Sequence, residues 1–466
     1  MNKYLEFTKR IAEQTPPTRN RVVDFVRAVS ILIVVFGHWL AASIWLRADG
    51  DIQLMNSLEW IPYAGWVTWI VQVMPIFFLV GGYANARALQ AKEPDGVDYS
   101  DWVTQRVRRL FTPVIPLLLV WTVLIVVLGP FLPRDVVRAG AMSATVPVWF
   151  IAVYVSITAL APLTYRWWCS QGLRSFVVLC AAAVAVDVLR FAIEVPGVGW
   201  ANFLFVWAAV HQLGYWWASR ETSGRPITKA TGLQIAGLSL TLLIVLTSVG
   251  WYPVAMVGVP GAEVTNMTPP TFAIALLAFA QAGVIWAATE PISRFAHRRR
   301  VWHGVVAVSG VMMTIYLWHL TAMTLVASVF LFAFDGAVFR IEPGTTAWWL
   351  SRPVWIMMLV LVTLALVAVF ARFEWRVKTT PAPSNTRYVI AGVLLVAGAS
   401  AAVAYFGLAA ADATVNWIIP IAAFAGAAIM GAYPSRRRDR SASKPDSRSP
   451  DEDSQATVDG QQQPPR

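Results

Sequence analysis

Arg27 and His38 stand eleven residues apart inside the apolar run 22–46. On a helix that spacing is ~16 Å, about half the hydrocarbon thickness of a bilayer. A titratable side chain at such depth costs at least ~2.5 kcal/mol unless protein or water receives it. Chemistry is one reason to keep it there. Imidazole titrates near neutral pH, so His38 could act as a general base toward a hydroxyl or as a transient nucleophile. The alternative is a hydrogen bond between helices. His319 has aromatic neighbours in Tyr316 and Trp318, and His211 stands in another apolar run, where it reads first as a packing residue. His297 and His303 fall in a basic segment and read as solvated. Few carboxylates or cysteines accompany these histidines, so no metal site is expected. Asp24 precedes Arg27 by three residues and shares its helix face, which predicts a pair. Arg106 and Arg109 repeat that spacing, and a guanidinium fork is suited to phosphate.

The elements that must place these residues are membrane helices. Of 466 residues, 57% are hydrophobic and 14% charged, against about a quarter charged in soluble domains. Twelve apolar runs read as spans: 22–46, 62–86, 110–133, 147–165, 174–193, 199–218, 230–250, 270–289, 304–332, 350–372, 387–408 and 414–432. The fold class is therefore an all-α, polytopic membrane bundle. Its net charge of +11 does not indicate nucleic acid, because the basic residues alternate between loops. Lys3, Lys9, Arg10, Arg19 and Arg21 precede the first span, Arg87 to Arg109 follow the second, and Arg294 to Arg300 follow the eighth. Arg372, Arg376, Lys378 and Arg387 follow the tenth, and Arg436 to Arg440 the twelfth, whereas loops 251–269 and 409–413 hold no Lys or Arg. This places both termini in the cytoplasm. Residues 1–21 are polar and carry Pro16 and Pro17, so no cleaved leader is expected. The two cysteines, Cys169 and Cys180, make no disulfide framework.

Orientation converts sequence into depth. Arg27 falls near the cytoplasmic face and His38 at or just beyond the middle. His319, fourteen residues into a span counted from Val305, lies ~20 Å in, so the two imidazoles share a layer. Asp187 and Arg190 share a face near the outer end of the fifth span, where they could pair or line a vestibule; Glu290 and Glu374 cap cytoplasmic helix ends. Met74-Pro75 and Gly81-Gly82 interrupt the second span and permit close approach of a helix or ligand.

The residues then resemble a known family. Asp24-Phe25-Val26-Arg27 followed by His38 is similar to the R-x10-H signature of the integral-membrane acyltransferase 3 family. Phe77-Phe78 through Gly81-Gly82-Tyr83 resembles its FF-x-x-(S/G)-G-(F/Y) segment, with glycine in place of the commoner serine. Arg106-Val107-Arg108-Arg109-Leu110 with Pro113 and Pro116 resembles R-x-x-R-L…P, and Val148-Trp149-Phe150-Ile151 through Pro162-Leu163 resembles W-F-(L/I)…P-L. Tyr316-Leu317-Trp318-His319 resembles Y-L-x-H. The resemblance implies transfer of an acyl group, often acetyl, from cytoplasmic acyl-CoA to a hydroxyl of a glycan, lipid or other cell-envelope acceptor at the plasma membrane. His38 would be base or acyl relay, Arg27 would position a substrate, Arg106 and Arg109 would meet CoA phosphates, and His319 would lie beside the acceptor. Tyr316 and Asp24 join them as substrate-binding candidates.

The domain reading is a cytoplasmic segment 1–21, an acyltransferase core 22–375, two further spans within 376–433 and a disordered cytoplasmic tail 434–466. The family core usually has ten helices, so the last two form an appended hairpin. The rival readings are a twelve-helix secondary transporter, which predicts related halves, and a non-catalytic scaffold.

Overall fold

The first apolar run ends as a helix five residues earlier than its hydrophobicity suggests, and this shapes the whole His38 region. In the computed structural model, which describes residues 2–431 apart from 17, 18, 62, 93–95, 97, 260, 376–382 and 384, α1 is Asn2–Glu13 and α2 is Arg21–Ala41. Asn20 caps α2 by accepting from the Val22 and Val23 amides. Residues 42–46 then form β1 (Ala42–Leu46), antiparallel to β2 (Ile52–Asn56), with Ala42 opposite Asn56 and Leu46 opposite Ile52. Gly50 takes φ +88° in the connecting turn, directly after Asp49. The hairpin is the physical reason the helix stops: Asp49-Gly50 offers a turn that Ser43, Ile44 and Trp45 can pair across.

The remaining helices are α3 (Ser57–Trp60), α4 (Ala64–Val71), α5 (Met74–Gln90), α6 (Tyr99–Phe111), α7 (Val114–Leu128), α8 (Arg134–Thr145) and α9 (Val148–Gln171). They continue as α10 (Leu173–Phe191), α11 (Asn202–Thr222), α12 (Lys229–Ser248), α13 (Phe272–Ala287), α14 (Thr289–Ala296) and α15 (Arg299–Ser309). The last are α16 (Met312–Ala333), α17 (Thr346–Trp375), α18 (Thr386–Phe406) and α19 (Ile418–Met430). Each of the twelve apolar runs overlaps at least one of these helices, and some, the second and ninth among them, overlap two. Seven helical segments among the described residues are long and apolar enough to cross a membrane, or nine if two bent pairs each count as one span. The α6–α7 pair bends by 43° where Pro113 follows Thr112, and α13–α14 bends by 64° just before Pro291. The shorter α19 is apolar as well. The fold is a multi-pass helical membrane bundle.

A second departure concerns the ninth run. It is broken at Gly310 and Val311 into α15 and α16, so His319 lies about two turns into α16 rather than fourteen residues into one helix. The break is held from three sides. Tyr4 of α1 donates to the Ala307 carbonyl at 2.6 Å, and Trp375 Nε1 donates to the Gly310 carbonyl at 2.6 Å. Glu374 meets the amides opened at the start of α16, accepting from Met313 N at 3.2 Å and from Thr314 N and Oγ1 at 2.9 and 2.7 Å. Glu374 thus caps another helix rather than its own. Burial, aided by the Glu374 carboxylate, pushes the Tyr4 phenol up to about 12, so it stays a donor at neutral pH.

The core of the bundle is the crossing of α5 and α11. A Cβ at Gly82 would overlap the His211 carbonyl, and one at Gly214 would overlap Leu79 and Tyr83 backbone. The Gly81-Gly82 pair therefore serves helix approach: Gly82 admits α11, and Gly81 receives the Tyr154 hydroxyl from α9. Asp187 does not pair with Arg190. Its carboxylate accepts from Asn202 Nδ2, Tyr252 Oη and Phe272 N at 2.8, 2.7 and 2.7 Å and so ties α10 to the starts of α11 and α13, while Arg190 donates to the Pro269 carbonyl. Arg376, Lys378 and the expected tail 434–466 lie outside the described residues.

Candidate active site

His38 occupies the last turn of α2, directly before the hairpin that ends this helix. Its ring stacks on that of His319, with centroids 5.1 Å apart and planes 27° apart. His38 Nδ1 lies 3.0 Å from His319 Nε2, and His319 Nδ1 lies 2.6 Å from the Tyr316 carbonyl. A carbonyl only accepts, so His319 carries its proton on Nδ1. Its Nε2 is then an acceptor, and His38 must donate from Nδ1. That leaves His38 Nε2 with an open lone pair, and among the described residues it has no hydrogen-bond partner. The chain Tyr316 C=O, His319, His38 therefore sets one tautomer and points one basic nitrogen outward. Trp39 Nε1 donates to the His319 carbonyl at 3.1 Å, fixing α2 against α16 beside the pair. His319 itself is fully buried.

His38 borders open space. His38 lines a cavity of about 1180 Å³ together with Tyr316, Trp149 and Ser156. The Tyr316 ring forms part of this wall, but its hydroxyl is committed to the Pro147 carbonyl at 2.9 Å. The bland alternative for His38, a hydrogen bond between helices, is thus present and uses only one of its two nitrogens.

On the Arg-rich side, Arg27, Arg106 and Arg109 all act electrostatically on the phenol of Tyr154. Asp24 accepts from Arg27 at 3.1 Å and from Arg19 at 2.5 Å, as its spacing predicted for Arg27. Asp24 is buried and its carboxylate is occupied by these two arginines, so it orients Arg27. Arg27 Nε remains buried without a partner among the described residues. Arg106 lies over the Trp102 ring at 3.6 Å and donates to Asn85 Oδ1 at 3.2 Å; Asn85 Nδ2 in turn lies 3.1 Å from His211 Nε2. His211 is therefore a buried support for Arg106 and not a third member of the His38 pair. Arg109 is exposed and acts electrostatically on Glu374 as well as Tyr154.

These groups do not share one chamber. Among the described residues no arginine lines the His38 cavity. Between the cavity and the arginines stands an aromatic layer, with Phe150 5.6 Å from Tyr316 and 5.0 Å from Tyr154. Tyr154 and Asn85 were not among the candidates read from sequence. Tyr154 follows Phe150 by four residues and so shares its helix face, which was the available signal. Asn85, a lone amide within an apolar span, was another. No cluster of three or more potential metal ligands occurs among the described residues.

His38 thus borders an apolar cavity, Arg27 stands eleven residues before it on the same helix, and Arg106 and Arg109 lie on α6. Residues 20–372 match the model of the acyltransferase domain, the acyltransferase 3 family, and this chain belongs to that family. No curated protein and no solved structure matches it.

Proposed function

We propose that this protein moves an acyl group, acetyl in the simplest case, from cytoplasmic acyl-CoA to a hydroxyl of a cell-envelope glycan or lipid, within the plasma membrane. The observation that carries this reading is the bare Nε2 of His38 at the cavity wall, with its tautomer set by His319 and Tyr316. Imidazole Nε2 takes the acceptor's hydroxyl proton, and the oxygen attacks the thioester carbonyl. The new C–O bond forms as the C–S bond breaks, and the proton passes from His38 to the departing CoA thiolate. Throughout, Nδ1–H stays donated to His319, which stabilises the imidazolium. Arg27, Arg106 and Arg109 offer the polyanionic donor its phosphate contacts, and Asp24 and Asn85 hold two of them in place.

Both termini in the cytoplasm and twelve crossings remain the topology that this route uses. Inverted membrane vesicles supplied with acetyl-labelled acetyl-CoA are expected to gain label in their glycan or lipid fraction when the protein is present. Sealed right-side-out vesicles given the same donor outside are expected to gain none. Equal labelling in both orientations would overturn the donor side.

A further inference from the structure

The cavity beside His38 is larger than the ~300–1,000 Å³ usual for small-molecule sites, and its walls are chiefly apolar. One wall lies outside the matched acyltransferase domain. It is the outer half of α18, which presents Ala397, Gly398, Ala401 and Ala404 to the cavity on one helix face. Three glycines from three different elements line the same space: Gly37 of α2, Gly258 of the α12–α13 connection, and Gly398. At each of them an added Cβ would meet nothing within 4 Å. Glycine is the costliest residue but proline in a helix interior, yet Gly37 and Gly398 touch no neighbour that would require it. What they leave is volume.

The rim is equally specific in chemistry. Tyr63, Trp200, Trp349 and Tyr405 line the cavity and are exposed, at 70%, 48%, 44% and 69%. All four belong to the connections or helix ends opposite the arginine cluster. Tyrosine and tryptophan there mark the level of lipid headgroups. Nor is α18 a loose addition. Arg108, buried in α6, donates from Nε to the Met430 carbonyl at the end of α19, and Ser100 Oγ lies 3.0 Å from Thr386 Oγ1 at the start of α18. Gly426 of α19 packs directly on Leu395 and Val396 of α18.

We propose that this cavity holds the hydrocarbon chain of a lipid-anchored acceptor, entering from the aromatic rim, and that α18 is the wall which sets the space for it. The inference rests on the acyltransferase reading for the word acceptor, but chain binding is measurable without turnover. The polyanionic donor is expected at the opposite, arginine-bearing end, which is why the chain is assigned to the acceptor.

The test uses the full-length protein in phosphatidylcholine vesicles containing a phospholipid whose hexadecyl chain ends in a diazirine. A parallel arm supplies diazirine-tagged hexadecanoyl-CoA. Photolabelling by the phospholipid is expected on the 397–405 segment of α18 and around Gly37. Gly398→Leu and Gly258→Leu fill the cavity from separate walls, which guards against a folding defect in either. Each is expected to cut that labelling at least about tenfold, equivalent to ~1.4 kcal/mol. His38→Gln is expected to lose transfer and keep the labelling, so failure of the enzyme reading and failure of the chain site are distinguishable. Undiminished labelling in both glycine variants would overturn the proposal. So would cavity labelling by the acyl-CoA and not by the phospholipid.

Discussion

The imidazole pair works as a directed donor chain. Because the Tyr316 carbonyl and His319 dictate where the His38 protons sit, removing His319 should harm the base without touching the donor site. His319→Leu is expected to lower kcat about 100-fold, within the range of general acid–base effects, and to leave the KM for donor nearly unchanged. His319→Gln, whose amide oxygen can still accept from His38 Nδ1, should recover part of the loss. A KM rise with kcat intact would assign His319 to substrate contact instead. Much of this is legible in the sequence. Helical rise turns residue spacing into depth, and so His38 and His319 could be placed in one layer. Their lateral meeting was not legible, because spacing along a helix says nothing about which faces oppose. The same limit hid the separation of His211, which serves Asn85 and Arg106.

Helices are positioned here by backbone contact as much as by side chains. The α5–α11 crossing leaves no room for a Cβ at Gly82, since the His211 carbonyl occupies that place. Gly82→Leu is expected to destabilise the bundle by at least ~1–3 kcal/mol, the usual cost of overpacking, read as a lowered melting temperature in detergent. Gly398→Leu, at an equally helical but open position, should melt near the parent protein. Equal destabilisation of both would contradict the contrast. Two element boundaries departed from the apolar pattern for identifiable reasons. The hairpin after α2 rests on Asp49-Gly50, a turn signal overshadowed by the hydrophobicity of 42–46. The gap between α15 and α16 rests on Gly310, whose surroundings include Tyr4 and Trp375, contacts from distant sequence that no local pattern reveals.

Across the whole molecule, Arg27, Arg106 and Arg109 stand away from the cavity rim, although Arg47, Arg190, Arg340 and Arg352 occur on the rim side. Phe150 contacts both Tyr154 and Tyr316 between the two groups. If the arginines grip donor phosphates, Arg109→Ala should raise the KM for acetyl-CoA about tenfold or more, as expected for a lost charge-assisted bond. The same variant should show no change with a short thioester lacking phosphates. Comparable losses with both donors would remove Arg109 from the donor site. Orientation is separately measurable. In intact cells an impermeant maleimide is expected to react at Asp412→Cys and not at exposed Cys169, and the reverse would invert the topology. The bundle class and its apolar segments could be read from hydropathy alone. The cavity could not, because it is made by what Gly37, Gly258 and Gly398 lack.

In this mechanism His38 Nε2 removes the acceptor's proton. Purified protein and its His38→Gln variant, matched for yield and melting temperature, would be compared for thiol release from acetyl-CoA in the presence of an envelope lipid extract. Acetyl-dependent thiol release by the parent and a loss of at least ~100-fold in the variant are expected. Release by His38→Gln at the parent rate would contradict the mechanism.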